Sequence, residues 1–161
     1  MSSNTTPVRG GARLPASRLV AFGAPFALGA AVYAVVFVVK QPTLPDPVGI
    51  HWDASGSADG VTSSPLGLLG LVMGVFAFEF AGFGASLWQV RTTPGSRLAL
   101  SVLAWATAAF TCAFCTIALL ASAGAAEYTD ATFPTLSHWL ATAGATAAGA
   151  AVGFLLARRE H

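Results

Sequence analysis

The chain has 161 residues, of which 55% are hydrophobic and only 9% are charged, and its formal net charge is +1. A soluble domain usually carries about 25% charged residues, and one with so few would expose large apolar patches to water. The composition therefore predicts a membrane protein, and the near-zero net charge gives no reason to expect a nucleic-acid partner. The sequence contains neither a phosphate-binding glycine loop nor a nucleophile elbow, so we expect no enzyme, no catalytic residue and no cofactor.

The chain begins with a polar segment followed by its first apolar run. Residues 1–17 are rich in Ser, Thr, Pro and Gly and are predicted to be a disordered cytoplasmic tail. Residues 18–161 are predicted to form a single membrane domain, whose first span runs from about 19 to 39. As a helix these 21 residues would extend about 30 Å, the thickness of the hydrocarbon layer. A cleavable signal peptide is the alternative, but its hydrophobic region is usually about 7–15 residues long, which favours an uncleaved span.

Three further apolar runs follow, and the predicted fold class is therefore all-α, an integral membrane four-helix bundle. Ser64 and Pro65 are typical of a helix N-cap and the first helical residue, so they mark the start of the second span. The predicted second, third and fourth spans lie at about 66–90, 98–122 and 136–156, and two loops at one end of the bundle are 41–64 and 123–135.

An even number of spans places both termini on one side of the membrane, and the distribution of Lys and Arg indicates which side. Lys40 is the only basic residue on the side opposite the termini, whereas seven arginines lie on the terminal side. The positive-inside rule therefore predicts a plasma-membrane protein with cytoplasmic termini and with the 24-residue loop 41–64 outside the cell. The seven arginines are Arg9, Arg13, Arg18, Arg91, Arg97, Arg158 and Arg159.

Loop 41–64 holds the polar side chains that are best suited to recognising a ligand or a partner. In an extended segment, His51 and Asp53 would lie on one face, where they could bind a divalent cation or titrate together near neutral pH. Their spacing matches no zinc signature, so we predict no metal site and keep this pair only as an alternative. A structural interpretation is also open, in which prolines and glycines build turns that aspartates cap. The predicted recognition residues are Asp46, His51, Trp52, Asp53, Gly56 and Asp59.

Glu79 is the only Asp, Glu, Lys or Arg inside a predicted span. A charged carboxylate near mid-bilayer costs at least several kcal/mol, so we expect Glu79 to be protonated and to face the bundle. Counting about 1.5 Å per residue from the span ends places three hydroxyl side chains within about 5 Å of its depth. A structural hydrogen bond, a proton or ion relay, and ligand recognition are the alternatives for this group. The predicted intramembrane polar cluster is Glu79, Tyr33, Thr111 and Thr146.

Small residues provide a further pattern, because glycines spaced four apart allow two helices to approach closely. One such pair, Gly70 and Gly74, lies in the second span, and the other lies in the fourth span, at Gly149 and Gly153. The fourth span could therefore sit inside the bundle or against another protomer, and the oligomeric state is not predicted. The Cys112–Cys115 segment has the spacing of a redox pair, but its position in mid-span favours ordinary packing of small residues.

The loop also carries a motif that resembles a known family. It comprises Leu44–Asp46, Val48, Ile50–Asp53, Gly56 and Asp59–Gly60. This pattern resembles the signature of a bacterial membrane family, domain of unknown function 1648, which also opens the SdpI-type immunity proteins. Those proteins protect Gram-positive cells from a secreted killing peptide and take part in signalling to a repressor. The resemblance covers the first span, the loop and the start of the second span, and it implies that the loop is a recognition element. Asp53 stands where the family more often has Asn, and the second domain of the SdpI-type proteins is not recognised here.

Three functional hypotheses result. The first is a non-enzymatic membrane protein of the immunity or sensory type, whose outer loop meets a secreted peptide, a cation or another membrane protein. The second is a small proton- or ion-coupled carrier that uses Glu79. The third is an accessory subunit of a larger membrane complex. All three place the chain in a lipid bilayer, and none involves nucleic acid.

Overall fold

A computed structural model describes residues 16–89, 93–133 and 135–159, and it describes their side chains except at 16–21, 88–89 and 94. Most of the predicted tail, residues 1–15, lies outside the described residues. Within them, four helices are long and apolar enough to cross a membrane. The prediction of a multi-pass helical membrane protein is therefore confirmed. The helices are α1 (Ala16–Lys40), α2 (Pro65–Gln89), α3 (Pro94–Ser122) and α4 (Leu136–Arg158).

Helix α3 begins earlier than the sequence predicted, at Pro94 rather than at about 98. The Thr93 side chain accepts a hydrogen bond from the Ser96 backbone N–H at 3.2 Å and so caps the helix. Proline is well suited to the first helical turn because its missing N–H would have no partner there in any case. Pro94–Ser96, which precede the predicted start of the third span, are therefore already helical.

Two glycines of α1 set its distance from α2. A Cβ atom at Gly23 would lie 2.7 Å from the ring of Phe80, and one at Gly29 would lie 2.8 Å from the ring of Phe76. Both distances are shorter than real Cβ contacts, so a side chain at either position would displace the phenylalanine ring. Because the later glycine of α1 meets the earlier phenylalanine of α2, the two helices run antiparallel.

The glycine pair of α4 packs against α3 in the same way. A Cβ atom at Gly149 would lie 2.6 Å from the carbonyl oxygen of Trp105, and one at Gly153 would lie 2.7 Å from that of Ser101. This order makes α3 and α4 antiparallel. It also shows that Gly149 and Gly153 of α4 pack against α3 of the same chain. By contrast, Gly70 and Gly74 of α2 have no other described atom within 4 Å of a Cβ position.

The two loops form a small folded unit at one end of the helices, here called the cap (residues 41–64 and 123–133). Its main element is an antiparallel hairpin of β1 (Val48–Trp52) and β2 (Ala58–Thr62), in which Val48 pairs with Thr62 and Trp52 with Ala58. Two 3-10 turns complete it, at Gln41–Thr43 and Tyr128–Asp130. The all-α prediction therefore needs correction in loop 41–64, where two short strands flank the turn.

The core lies between α1, α2 and α3 and continues under the cap. Phe26, Tyr33 and Phe37 form a buried stripe along α1, and the cap adds Val48, which is fully buried. Gly124 also donates its backbone N–H to the carbonyl of Thr43 at 2.8 Å, which joins the ends of α1 and α3. The start of α1 and the end of α4 both lie at the end of the helices that is opposite the cap.

Candidate functional site

The hairpin brings His51 and Asp59 together across its two strands. The imidazole Nδ1 atom contacts the Asp59 carboxylate, and both side chains are open to solvent, at 72% and 48% exposure. Gly60 lies opposite His51, and a Cβ atom there would be 2.9 Å from the His51 Cβ. Glycine at this position therefore allows the histidine to cross the hairpin towards Asp59.

Asp53 has a separate role in the turn between the strands. Its Oδ1 atom accepts hydrogen bonds from the Ser55 hydroxyl at 2.6 Å, from the Ser55 N–H at 2.8 Å and from the Ser57 N–H at 3.1 Å. These donors, the Ser55 hydroxyl first, lower the pKa of Asp53 below its ordinary value of 3.8. Gly56 adopts a positive φ of 84°, which completes the turn.

His51 and Asp53, which the sequence suggested as an alternative metal site, therefore have different partners in the structure. His51 faces Asp59, whereas Asp53 is engaged by the turn. Among the described residues, no group of three or more His, Cys, Asp or Glu side chains could hold a metal ion. His138 accepts a hydrogen bond from the Thr135 N–H at 3.1 Å and so caps the start of α4. Asp46 is exposed just before β1.

Trp52 anchors the hairpin to the helices through a chain of aromatic rings. Its indole packs edge-on against Phe133 at 5.0 Å between centroids, and Phe133 packs in turn against Phe114 of α3 at 5.2 Å. Phe114 also contacts Trp139 of α4 at 5.8 Å. The Trp52 Nε1 atom is buried and has no hydrogen-bond acceptor among the described residues. Sequence reasoning missed Phe114 and Phe133, although a lone phenylalanine in a polar loop was an available signal.

The exposed side chains of the hairpin combine polar and apolar groups. Ile50 is 38% exposed and Val61 is 43% exposed, close in the pairing to His51 and Asp59. Exposed apolar side chains near the His51–Asp59 pair, on a backbone held by the half-buried Trp52, are suited to binding a peptide.

The intramembrane residues are brought together only in part. The Thr111 hydroxyl of α3 donates a 2.6 Å hydrogen bond to the Glu79 Oε1 atom of α2. Thr146 lies outside this contact, because its hydroxyl donates to the Thr142 carbonyl of its own helix at 2.8 Å. Tyr33 is fully buried, and its hydroxyl has no hydrogen-bond partner among the described residues. The nearby Cys112 and Cys115 are free thiols.

Comparison with known families identifies residues 20–75 as a match to the family described as Domain of unknown function (DUF1648). This confirms the resemblance that the loop motif indicated. The matched segment contains α1 from Val20 onwards, the hairpin and the first half of α2, and it ends before Glu79. A comparison with curated proteins and with solved structures finds no match.

Proposed function

We propose that this multi-pass membrane protein is a non-enzymatic protein of the immunity or sensory type, in which the cap recognises a secreted peptide. The proposal includes a plasma-membrane location with the cap outside the cell and the termini in the cytoplasm. The excess of arginine at the end opposite the cap supports this orientation. The DUF1648 match supports the class, because the same domain opens the SdpI-type immunity proteins.

The observation that carries the proposal is the exposed face of the hairpin. Its His51–Asp59 pair is open to solvent beside Ile50 and Val61, while Trp52 holds the hairpin from below. An exposed ion pair stabilises a protein by only about 0–1 kcal/mol. Removing this pair should therefore abolish recognition without unfolding the protein, since the hairpin remains anchored through its buried residues.

The test is a challenge with secreted peptide toxin in a host where deletion of the gene causes sensitivity. We expect that His51→Asn combined with Asp59→Asn abolishes protection while the protein reaches its normal abundance in the membrane. Glu127→Gln is the matched control, because it neutralises another exposed acid of the cap and keeps an oxygen that can accept the bond of the 3-10 turn. Full protection by the His51/Asp59 variant would contradict the proposal.

The orientation has its own test. A thiol reagent that does not cross membranes should label Ser55→Cys in the cap from outside intact cells. Because Cys112 and Cys115 are native thiols, the measurement uses a background in which both are alanine. Labelling of Ser55→Cys only after the cells are opened would place the cap in the cytoplasm and overturn the topology.

A second candidate function is a proton- or ion-coupled carrier, and the environment of Glu79 favours it. One carboxyl oxygen is held by Thr111, and the other is buried without a protein partner among the described residues. A membrane carboxyl in this state is a typical proton-binding group. Flux into proteoliposomes, compared between the wild type and Glu79→Gln, tests this function: equal flux in the two would exclude it.

A further inference from the structure

The start of α4 depends on a histidine that must be uncharged. The Thr135 N–H donates a 3.1 Å hydrogen bond to the Nδ1 atom of His138. A ring nitrogen accepts a hydrogen bond only while it carries no proton, and both ring nitrogens of a charged imidazole are donors. In this structure His138 is therefore neutral, and its Nδ1 atom is the acceptor that completes the start of the helix.

Protonation of His138 would replace this bond by a contact between two donors. Its Nδ1–H would face the Thr135 N–H, and the new positive charge would lie in the first turn of α4, where the helix dipole is also positive. The ring is partly exposed, so a proton can reach it from water. Histidine side chains ordinarily change their charge between about pH 5 and 8, so mild acid is sufficient.

No neighbouring charge compensates for a proton on His138. Among the described residues the one ion pair joins His51 to Asp59, and there an added proton strengthens the contact because Nδ1 faces a carboxylate. Helix α3, which packs against α4, has no charged residue after Arg97, at the end away from the cap. The charged and titratable groups on the surrounding elements of the cap are Lys40, Asp46, His51, Asp53, Asp59, Glu127, Tyr128 and Asp130.

His138 is also in contact with the anchor of the hairpin. Its ring packs on Phe133 at 5.2 Å between centroids, and Phe133 packs in turn on Trp52. Thr135 is two residues after Phe133, whose N–H donates to the Gly56 carbonyl at 3.0 Å in the turn of the hairpin. A displacement of either the His138 ring or the Thr135 N–H therefore acts directly on the residue that holds the hairpin.

We propose that His138 is an acid-sensitive switch, whose protonation opens the start of α4 and loosens the attachment of the hairpin at Phe133. In the neutral state the hydrogen bond from Thr135 and the ring contact with Phe133 hold this end of the protein in one arrangement. In the charged state the two donors repel each other and both contacts weaken. The switch depends on a hydrogen-bond acceptor and not on what the cap binds, so it is independent of the proposed function.

Amide hydrogen exchange of the full-length protein in lipid nanodiscs, followed by NMR from about pH 8 to pH 5, tests the switch. The Trp139 N–H donates to the Thr135 carbonyl in the first turn of α4, and the Phe133 N–H donates to the hairpin turn, so these amides report on the helix start and on the anchor. We expect both protection factors, which are exchange rates relative to the intrinsic rate at the same pH, to fall in acid. The expected fall is about 2- to 30-fold, the range that loss of an N-cap hydrogen bond produces. The Gly124 amide, bonded elsewhere in the cap, is the internal control and should keep its protection.

Two variants separate His138 from the histidine of the hairpin. His138→Gln keeps a side-chain oxygen that can accept the Thr135 N–H without titrating, so both amides should keep their protection in acid. His51→Asn is the matched control and should behave as the wild type; loss of the fall in this variant would assign the sensitivity to the hairpin and overturn the proposal.

The wild-type measurement is decisive by itself. Constant protection of either Trp139 or Phe133 in acid would overturn the switch, and so would an equal fall in His138→Gln. Because the wild type needs no substitution, the test holds even if a variant fails to fold. Neither toxin protection nor flux enters the measurement, so failure of the proposed functions would leave these protection factors unchanged.

Discussion

The contact between α3 and α4 gives the sharpest stability prediction, through the substitution Gly149→Ala. The added methyl would lie 2.6 Å from both the Trp105 carbonyl oxygen and the Ala109 Cβ atom. That is about 0.8 Å inside the 3.4 Å at which ordinary van der Waals contact begins. Since a backbone carbonyl cannot rotate away, the two helices must separate, and overpacking of this kind typically costs about 1–3 kcal/mol.

Gly144→Ala is the matched control, because it lies in the same helix with no other described atom within 4 Å of its Cβ position. Alanine is the better helix former by about 1 kcal/mol at both positions, so the difference between the two variants isolates the packing cost. We expect Gly149→Ala to have a free energy of unfolding about 1–3 kcal/mol below that of Gly144→Ala, measured by reversible titration with SDS in mixed micelles. A difference below about 0.5 kcal/mol, within the usual error of such comparisons, would refute close packing of α4 on α3.

Three further predictions concern the cap and the intramembrane hydrogen bond. Phe133→Ala should lower the free energy of unfolding by about 3–5 kcal/mol, because it removes the buried ring between the hairpin and α3; the same SDS titration measures it. The pKa of Asp53 is lowered in the folded turn, so its stabilising effect is present above the ordinary value of 3.8 and is lost as the pH falls through the folded value. The protection factor of the Ser57 amide, its exchange rate relative to the intrinsic rate at the same pH, should therefore fall in acid in the wild type but not in Asp53→Asn. Thr111→Val should cost about 0.6–1.7 kcal/mol, and Thr146→Val should cost less, because only the former breaks a bond between helices; equal costs would contradict this.

The helices could be predicted from the sequence because each apolar run is long enough to cross a bilayer and is bounded by polar or breaking residues. The hairpin could not, because its strands are only five residues long and an irregular register from Gly49 to Trp52 breaks their alternation. Short segments of this kind do not distinguish a strand from a turn by periodicity. Only its tertiary contacts, such as the packing of Trp52 on Phe133, give this segment a defined structure.

The intramembrane group shows a different limit of sequence reasoning. Residue counting gives the depth of a side chain in the bilayer but not the direction in which it points around its helix. Thr111 and Thr146 have similar predicted depths, yet the former reaches Glu79 and the latter bonds to its own helix. The direction depends on how the helices pack, which is set here by close approaches such as that at Gly149.

The contacts of the DUF1648 segment show that it depends on the rest of the chain. Gly29 packs on the Ala108 carbonyl, Trp52 packs on Phe133, and Thr43 accepts the Gly124 N–H, so α1, the turn after it and the hairpin each contact a residue beyond 75. Ala108 belongs to α3, Gly124 follows its C-terminal end, and Phe133 packs on Phe114 of the same helix. Helix α4 also packs against α3. An isolated 20–75 segment would therefore expose the buried faces of α1 and leave the hairpin without its anchor. The recognition face proposed for the matched segment is thus held in place by residues that follow the segment in the chain.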